Sequence, residues 1–63
     1  MFDELLDRRV KIAYKDGDRT KVVYGTFIGE DEHFLKICFR NGRTIGIGKS
    51  SLIRITEDDK GLR

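Results

Sequence analysis

The chain is poor in the residues that staple small proteins together. Its 63 residues include one cysteine, one histidine and no proline. The lone thiol, Cys38, excludes an intramolecular disulfide, and Cys38 with His33 falls short of the about four ligands a structural zinc site needs. A reducing, intracellular setting is the simpler expectation. No apolar run approaches the roughly 18 residues of a membrane span, and the start Met1-Phe2-Asp3-Glu4 lacks the basic segment of a secretory leader. The expected location is the cytoplasm. With no linker composition and no internal repeat, one domain is expected over residues 1–56, followed by a flexible tail, 57–63, which has no hydrophobic period.

Length adds a constraint. A chain of this size buries only about 60 % of the surface its unfolded form exposes, so its core is marginal. Association of copies, or a very economical barrel, is the expected remedy.

Acidic residues are missing from one long stretch. Residues 1–32 carry six basic and eight acidic side chains, whereas residues 33–54 carry Lys36, Arg40, Arg43, Lys49 and Arg54 with no Asp or Glu; residues 55–63 contribute −1, giving the net +2. A basic block on a folded scaffold is a candidate polyanion surface. The plain alternative is a solvated strand face whose cations guard edges against aggregation.

What is present is mostly period two. Phe2, Leu5 and Leu6, with acidic residues at 3 and 4 and arginines at 8 and 9, predict a two-turn helix over residues 2–8 that caps one end of the domain. From Val10 the pattern alternates: Val10, Ile12 and Tyr14 against Lys11, Ala13 and Lys15. Lys15-Asp16-Gly17-Asp18 reads as a hairpin turn. Val22 to Ile28 is β-branched and aromatic, with Gly25 marking a bend or bulge. After the acidic turn Glu30-Asp31-Glu32, the segment 33–39 alternates again, with Leu35, Ile37 and Phe39 on one face. Asn41-Gly42 ties it to the strand 43–47. Lys49-Ser50-Ser51 is a one-turn polar connection into a last strand, 52–55. The fold expected is mainly β: a short N-terminal helix and a five-stranded, strongly bent antiparallel barrel of the SH3-like or OB-like kind.

Two segments resemble a known family. Gly25-x-Phe27-x-Gly29-x-Asp31-x-x-Phe34 is similar to the first Sm motif, and Ile47-Gly48-Lys49-Ser50-Ser51-Leu52-Ile53-Arg54-Ile55 to the second in its bacterial, Hfq-like form. Leu35 stands where eukaryotic-type Sm proteins have asparagine, and Ser50 where Hfq has histidine. The resemblance implies a homo-oligomeric ring of six or seven subunits, with the last strand pairing to the next subunit and pore-side loops holding single-stranded, uridine-rich RNA. It implies RNA contacts at Asp31, His33, Phe34, Lys49 and Ser50. Repeated around a pore, Lys49 and His33 would form a positive collar with flat surfaces for bases.

Four of these residues also have a plain reading. His33 reads as a surface histidine in a local hydrogen bond, Asp31 as an acceptor for its own turn, Lys49 as a solvated turn lysine, and Phe34 and Phe39 as core. Arg40 and Arg43 flank a hairpin tip, where cations serve solubility. Two other functional classes fit the same barrel: an SH3-like module that holds a protein partner, and a small nucleoid-type protein that binds duplex DNA. An enzyme is not expected. Ser50-Ser51 beside Lys49 lacks a supporting acid and an oxyanion loop. Gly48-Lys49-Ser50 lacks the earlier glycine of a phosphate loop, because Arg43 stands in its place. No cofactor is implied.

Overall fold

A computed structural model describes residues 2–58 of the chain. It contains five strands, β1 (Arg9–Asp16), β2 (Arg19–Glu30), β3 (Phe34–Cys38), β4 (Thr44–Gly48) and β5 (Leu52–Glu57), with two single turns of 3-10 helix, Asp3–Leu5 and Lys49–Ser51. The strands form one antiparallel sheet in the order β4-β3-β2-β1-β5. All five expected strands are therefore present. No helix among the described residues is long and apolar enough to cross a membrane.

The twelve-residue β2 explains why so short a chain can surround a core. Its first part, Arg19–Thr26, pairs with β1, and its second, Thr26–Glu30, pairs with β3. The buried Gly25 sits at the change of partner. A Cβ there would lie 2.5 Å from Ile37 Cγ2 and 2.9 Å from the Cys38 carbonyl oxygen, so only glycine lets β3 approach so closely. The bulge expected at this glycine falls three residues on instead, where the register shifts between Phe27 and Gly29. Ile28 is the extra residue, and the bend it adds turns the end of β2 toward the 31–33 loop.

Alternation then sorts the side chains. Val10, Ile12, Phe27, Leu35, Ile37 and Ile47 are buried and form the core, with Phe2, Leu5, Tyr14, Val23, Phe39, Ile45, Leu52 and Ile55 packed around it. Phe39 is thus a core neighbour, as its period predicts. Phe34 is not: it lies one residue out of step with Leu35 and Ile37, on the outward face, and is 48 % exposed. The period of two decides its side, and its size does not.

Two further expectations need correction. The sheet is open rather than a closed barrel, since β4 and β5 end the strand order without pairing to each other. The two-turn helix over residues 2–8 is only the 3-10 turn Asp3–Leu5. The chain has no room for more: Asp7 N–H donates to the Phe27 carbonyl at 2.7 Å and Phe27 N–H to the Arg8 carbonyl at 3.0 Å, so by residue 7 it already runs along β2. Asp7, in the left-handed region at φ 63°, makes the turn between the two. At the other end, β5 runs to Glu57, and Asp58 N–H donates to the Arg9 carbonyl at 2.8 Å, so pairing reaches just past residue 56. Residues 59–63 of the expected tail lie outside the described residues.

The two hairpins differ in form. Asp16 pairs with Arg19 across the two-residue loop Gly17-Asp18, with Gly17 at φ 67°. A glycine with positive φ in the first loop position is the II′ pattern. At the Asn41-Gly42 hairpin, Phe39 N–H donates to the Arg43 carbonyl and Gly42 N–H to the Phe39 carbonyl, which leaves a three-residue loop, 40–42. Asn41 Oδ1 accepts from Arg43 N–H at 3.0 Å and fixes its tip.

Candidate nucleic-acid interface

The five residues singled out for RNA contact come together at one end of the sheet. Asp31 and His33 lie in the β2–β3 loop, Phe34 opens β3, and Lys49 and Ser50 lie in the second 3-10 turn. Two features join the segments. Lys49 N–H donates to the His33 carbonyl at 2.8 Å, and Phe34 pairs with Gly48 across β3 and β4.

The loop is held by Asp31. Its Oδ1 accepts from the N–H groups of His33 at 2.9 Å and Phe34 at 2.8 Å, while its own N–H donates to the Phe34 carbonyl. These two backbone donors, His33 first, hold the Asp31 carboxyl below its usual range. The aspartate's side chain is thus occupied with its own turn.

Beneath the loop lies a contact with no counterpart in the sequence reading. Lys49 Nζ is 2.7 Å from Glu30 Oε2, and Glu30 Oε1 accepts from Phe2 N–H at 3.0 Å. Glu30 is only 16 % exposed at its side chain and Lys49 33 %. The Lys49 ammonium, and after it the Phe2 N–H, hold the Glu30 carboxyl down to about 2. One carboxylate therefore joins the N-terminal segment, the end of β2 and the last connection. Phe2 is further fixed by edge-to-face packing on Phe27, with ring centroids 6.3 Å apart. The spacing of Glu30 and Lys49 along the chain carries no hint of this pair, because only the β2–β3–β4 register brings them together.

The expected positive collar is accordingly modified within the protomer. Lys49 stands against Glu30, Lys36 Nζ lies 3.9 Å from Asp31 Oδ2, and His33 Nε2 lies 4.0 Å from Glu32 Oε1. The open features of this end are flat rings. The His33 side chain is 77 % exposed. Phe34 lies over Gly46, where a Cβ would be 3.6 Å from the ring, and near Gly48. Glycines opposite it leave the ring supported from below and open above. Ser50 is exposed, and a Cβ on Gly48 would lie 3.9 Å from its Oγ.

Comparison with protein-family models, with curated proteins and with solved structures finds no match.

Proposed function

We propose that this chain is an Sm-like protein that assembles into a ring and binds short single-stranded, uridine-rich RNA in the cytoplasm, with a role in RNA metabolism or chaperoning. The observation that carries the reading is the convergence of the loop 31–34 with the turn 49–51 at one end of a sheet whose outer strands, β4 and β5, each have one edge without a strand partner among the described residues. Open strand edges are templates for pairing with another chain. Pairing of β4 in one protomer with β5 in the next closes the barrel between subunits, and repetition of one such contact gives a ring.

In this ring the loop ends gather on one face. Phe34 and His33 offer stacking surfaces to unpaired bases, which single-stranded RNA exposes and duplexes do not. Lys49 directs one ammonium proton at Glu30 and has two others to donate to RNA. Asp31 acts indirectly, by fixing the backbone that presents the two rings. Pairing each cation here with a carboxylate keeps the end near neutral, which favours base contacts over phosphate contacts.

Fluorescence anisotropy with labelled oligo-U and oligo-A tests the reading. The expected result is salt-sensitive binding at micromolar protein, with oligo-U preferred. Absence of binding to either strand at low salt would sink it, and equal affinity for unrelated duplexes would favour a DNA-binding role.

A further inference from the structure

At the loop end the cations face carboxylates, so the phosphates of a bound strand need a partner elsewhere. The outward face of β1 and β5 has one. Lys11, Ala13, Arg54 and Thr56 line a shallow cleft of about 190 Å³ there. The register puts Lys11 opposite Thr56 and Ala13 opposite Arg54, so Lys11 and Arg54 form a diagonal pair on one face. A register shift between Ala13 and Tyr14 precedes this pairing, and it sets the parity that turns Arg54 outward. The small Ala13 side chain between the two long cations forms the floor.

Two like charges at this spacing repel unless an anion lies between them. Among the described residues neither Lys11 nor Arg54 makes an ion pair. Asp58, the nearest carboxylate along the same row of β5, lies past the end of the cleft, 3.5 Å from Arg9 Nε. On the other side of Lys11, β2 places the exposed Tyr24 directly opposite. One row across three strands thus reads Thr56, Lys11, Tyr24: a hydroxyl, a cation and a ring.

We propose that this cleft seats a backbone phosphate of single-stranded RNA between Lys11 and Arg54, with Thr56 Oγ1 donating to it and Tyr24 stacking on the adjacent base. The site rests on the RNA-binding reading above and adds to it a second contact area. The division of labour is chemical: rings at the loop end meet bases, and unpaired cations on the outward face meet phosphate. Arg54 supplies a planar fork suited to two phosphate oxygens, and Lys11 a point charge.

Titration of the ¹⁵N-labelled protein with oligo-uridine, combined with anisotropy across a salt series, tests this. The expected result is movement of the Ala13 and Thr56 amides on binding. The double variant Lys11→Ala/Arg54→Ala should keep its amide spectrum elsewhere and bind at least tenfold more weakly. Its salt slope should fall by about 0.7, the counterion release of one single-strand phosphate that is no longer neutralised. Tyr24→Ser should weaken binding about tenfold and leave the salt slope unchanged, as expected for a stacking contact. If wild-type protein binds oligo-uridine but the Ala13 and Thr56 amides stay still and the double variant keeps its slope, the phosphate seat is wrong and the RNA reading stands. If wild-type protein binds no oligo-uridine, both fall.

Discussion

The loop end and the outward face of β1 and β5 both carry cations, yet those cations do different things. At the loop end Lys49 is clamped to Glu30, Lys36 lies near Asp31, and Asp31 ties its own turn together. On the outward face Lys11 and Arg54 border a cleft that no carboxylate lines among the described residues. The contrast teaches that a cation's neighbours in the sequence say little about its availability. What matters is whether the fold brings an acid to it. Groups at the loop end are committed to structure, so changing them should cost order; groups on the outward face are uncommitted, so changing them should cost only a ligand.

The largest expected effect tests whether the loop end rests on the core. Leu35 is fully buried and pairs with Glu30 on one side and Ile47 on the other. Leu35→Ala should lower unfolding free energy by about 3 kcal/mol in a denaturant titration, the usual cost of such a cavity. A loss under about 1 kcal/mol would mean that the loop end is not seated as described. Next comes Gly25→Ala, which forces a methyl against Ile37 and the β3 backbone. It should cost about 1–3 kcal/mol by overpacking, and an unchanged midpoint would place the bend of β2 elsewhere.

A pH profile sharpens the comparison at the loop end alone. Glu30 is depressed from its ordinary 4.5 to about 2 by Lys49 and the Phe2 N–H. Because the folded form holds this proton less tightly than the unfolded, the stabilisation is fully present above about pH 4.5 and is lost as pH falls toward 2. Thermal melts should therefore show a fall across that window, and Glu30→Gln should make it shallower, leaving the part that belongs to Asp31. An identical profile in the variant would remove Glu30 from the account. The smallest effect belongs to the other region: Lys11→Ala should shift stability by no more than about 0.5 kcal/mol, since it breaks no ion pair among the described residues. A larger loss would show that Lys11 has a structural partner after all.

The same contrast marks how far the sequence can be read. Strands are legible because alternation is a property of adjacent residues: Val10 and Ile12 in, Lys11 and Ala13 out; Leu35 and Ile37 in, Phe34 and Lys36 out. Turns are legible because Gly17, Asn41 and Gly42 act within a few residues. The N-terminal helix is not, because its length depends on a distant partner, Phe27, which takes the chain into the sheet at Asp7. A glycine inside a strand signals a bulge or a close approach without saying which. Here Gly25 serves close approach and Ile28 carries the extra residue. At the site, local pattern names the loop and the turn, but the Glu30–Lys49 pair and the Lys11–Arg54 cleft exist only through strand register. Phe34 shows the limit most simply. Its size suggests core, while its parity puts it outside.

Both regions serve the proposed function only if the open edges of the sheet are closed by further copies of the chain. Size-exclusion chromatography with light scattering measures this directly. The account predicts a discrete assembly of six or seven subunits of 7.3 kDa each, unchanged on dilution through the micromolar range. A 7.3 kDa monomer throughout that range would contradict it, leaving β4 and β5 as true free edges and removing the ring on which the RNA reading depends.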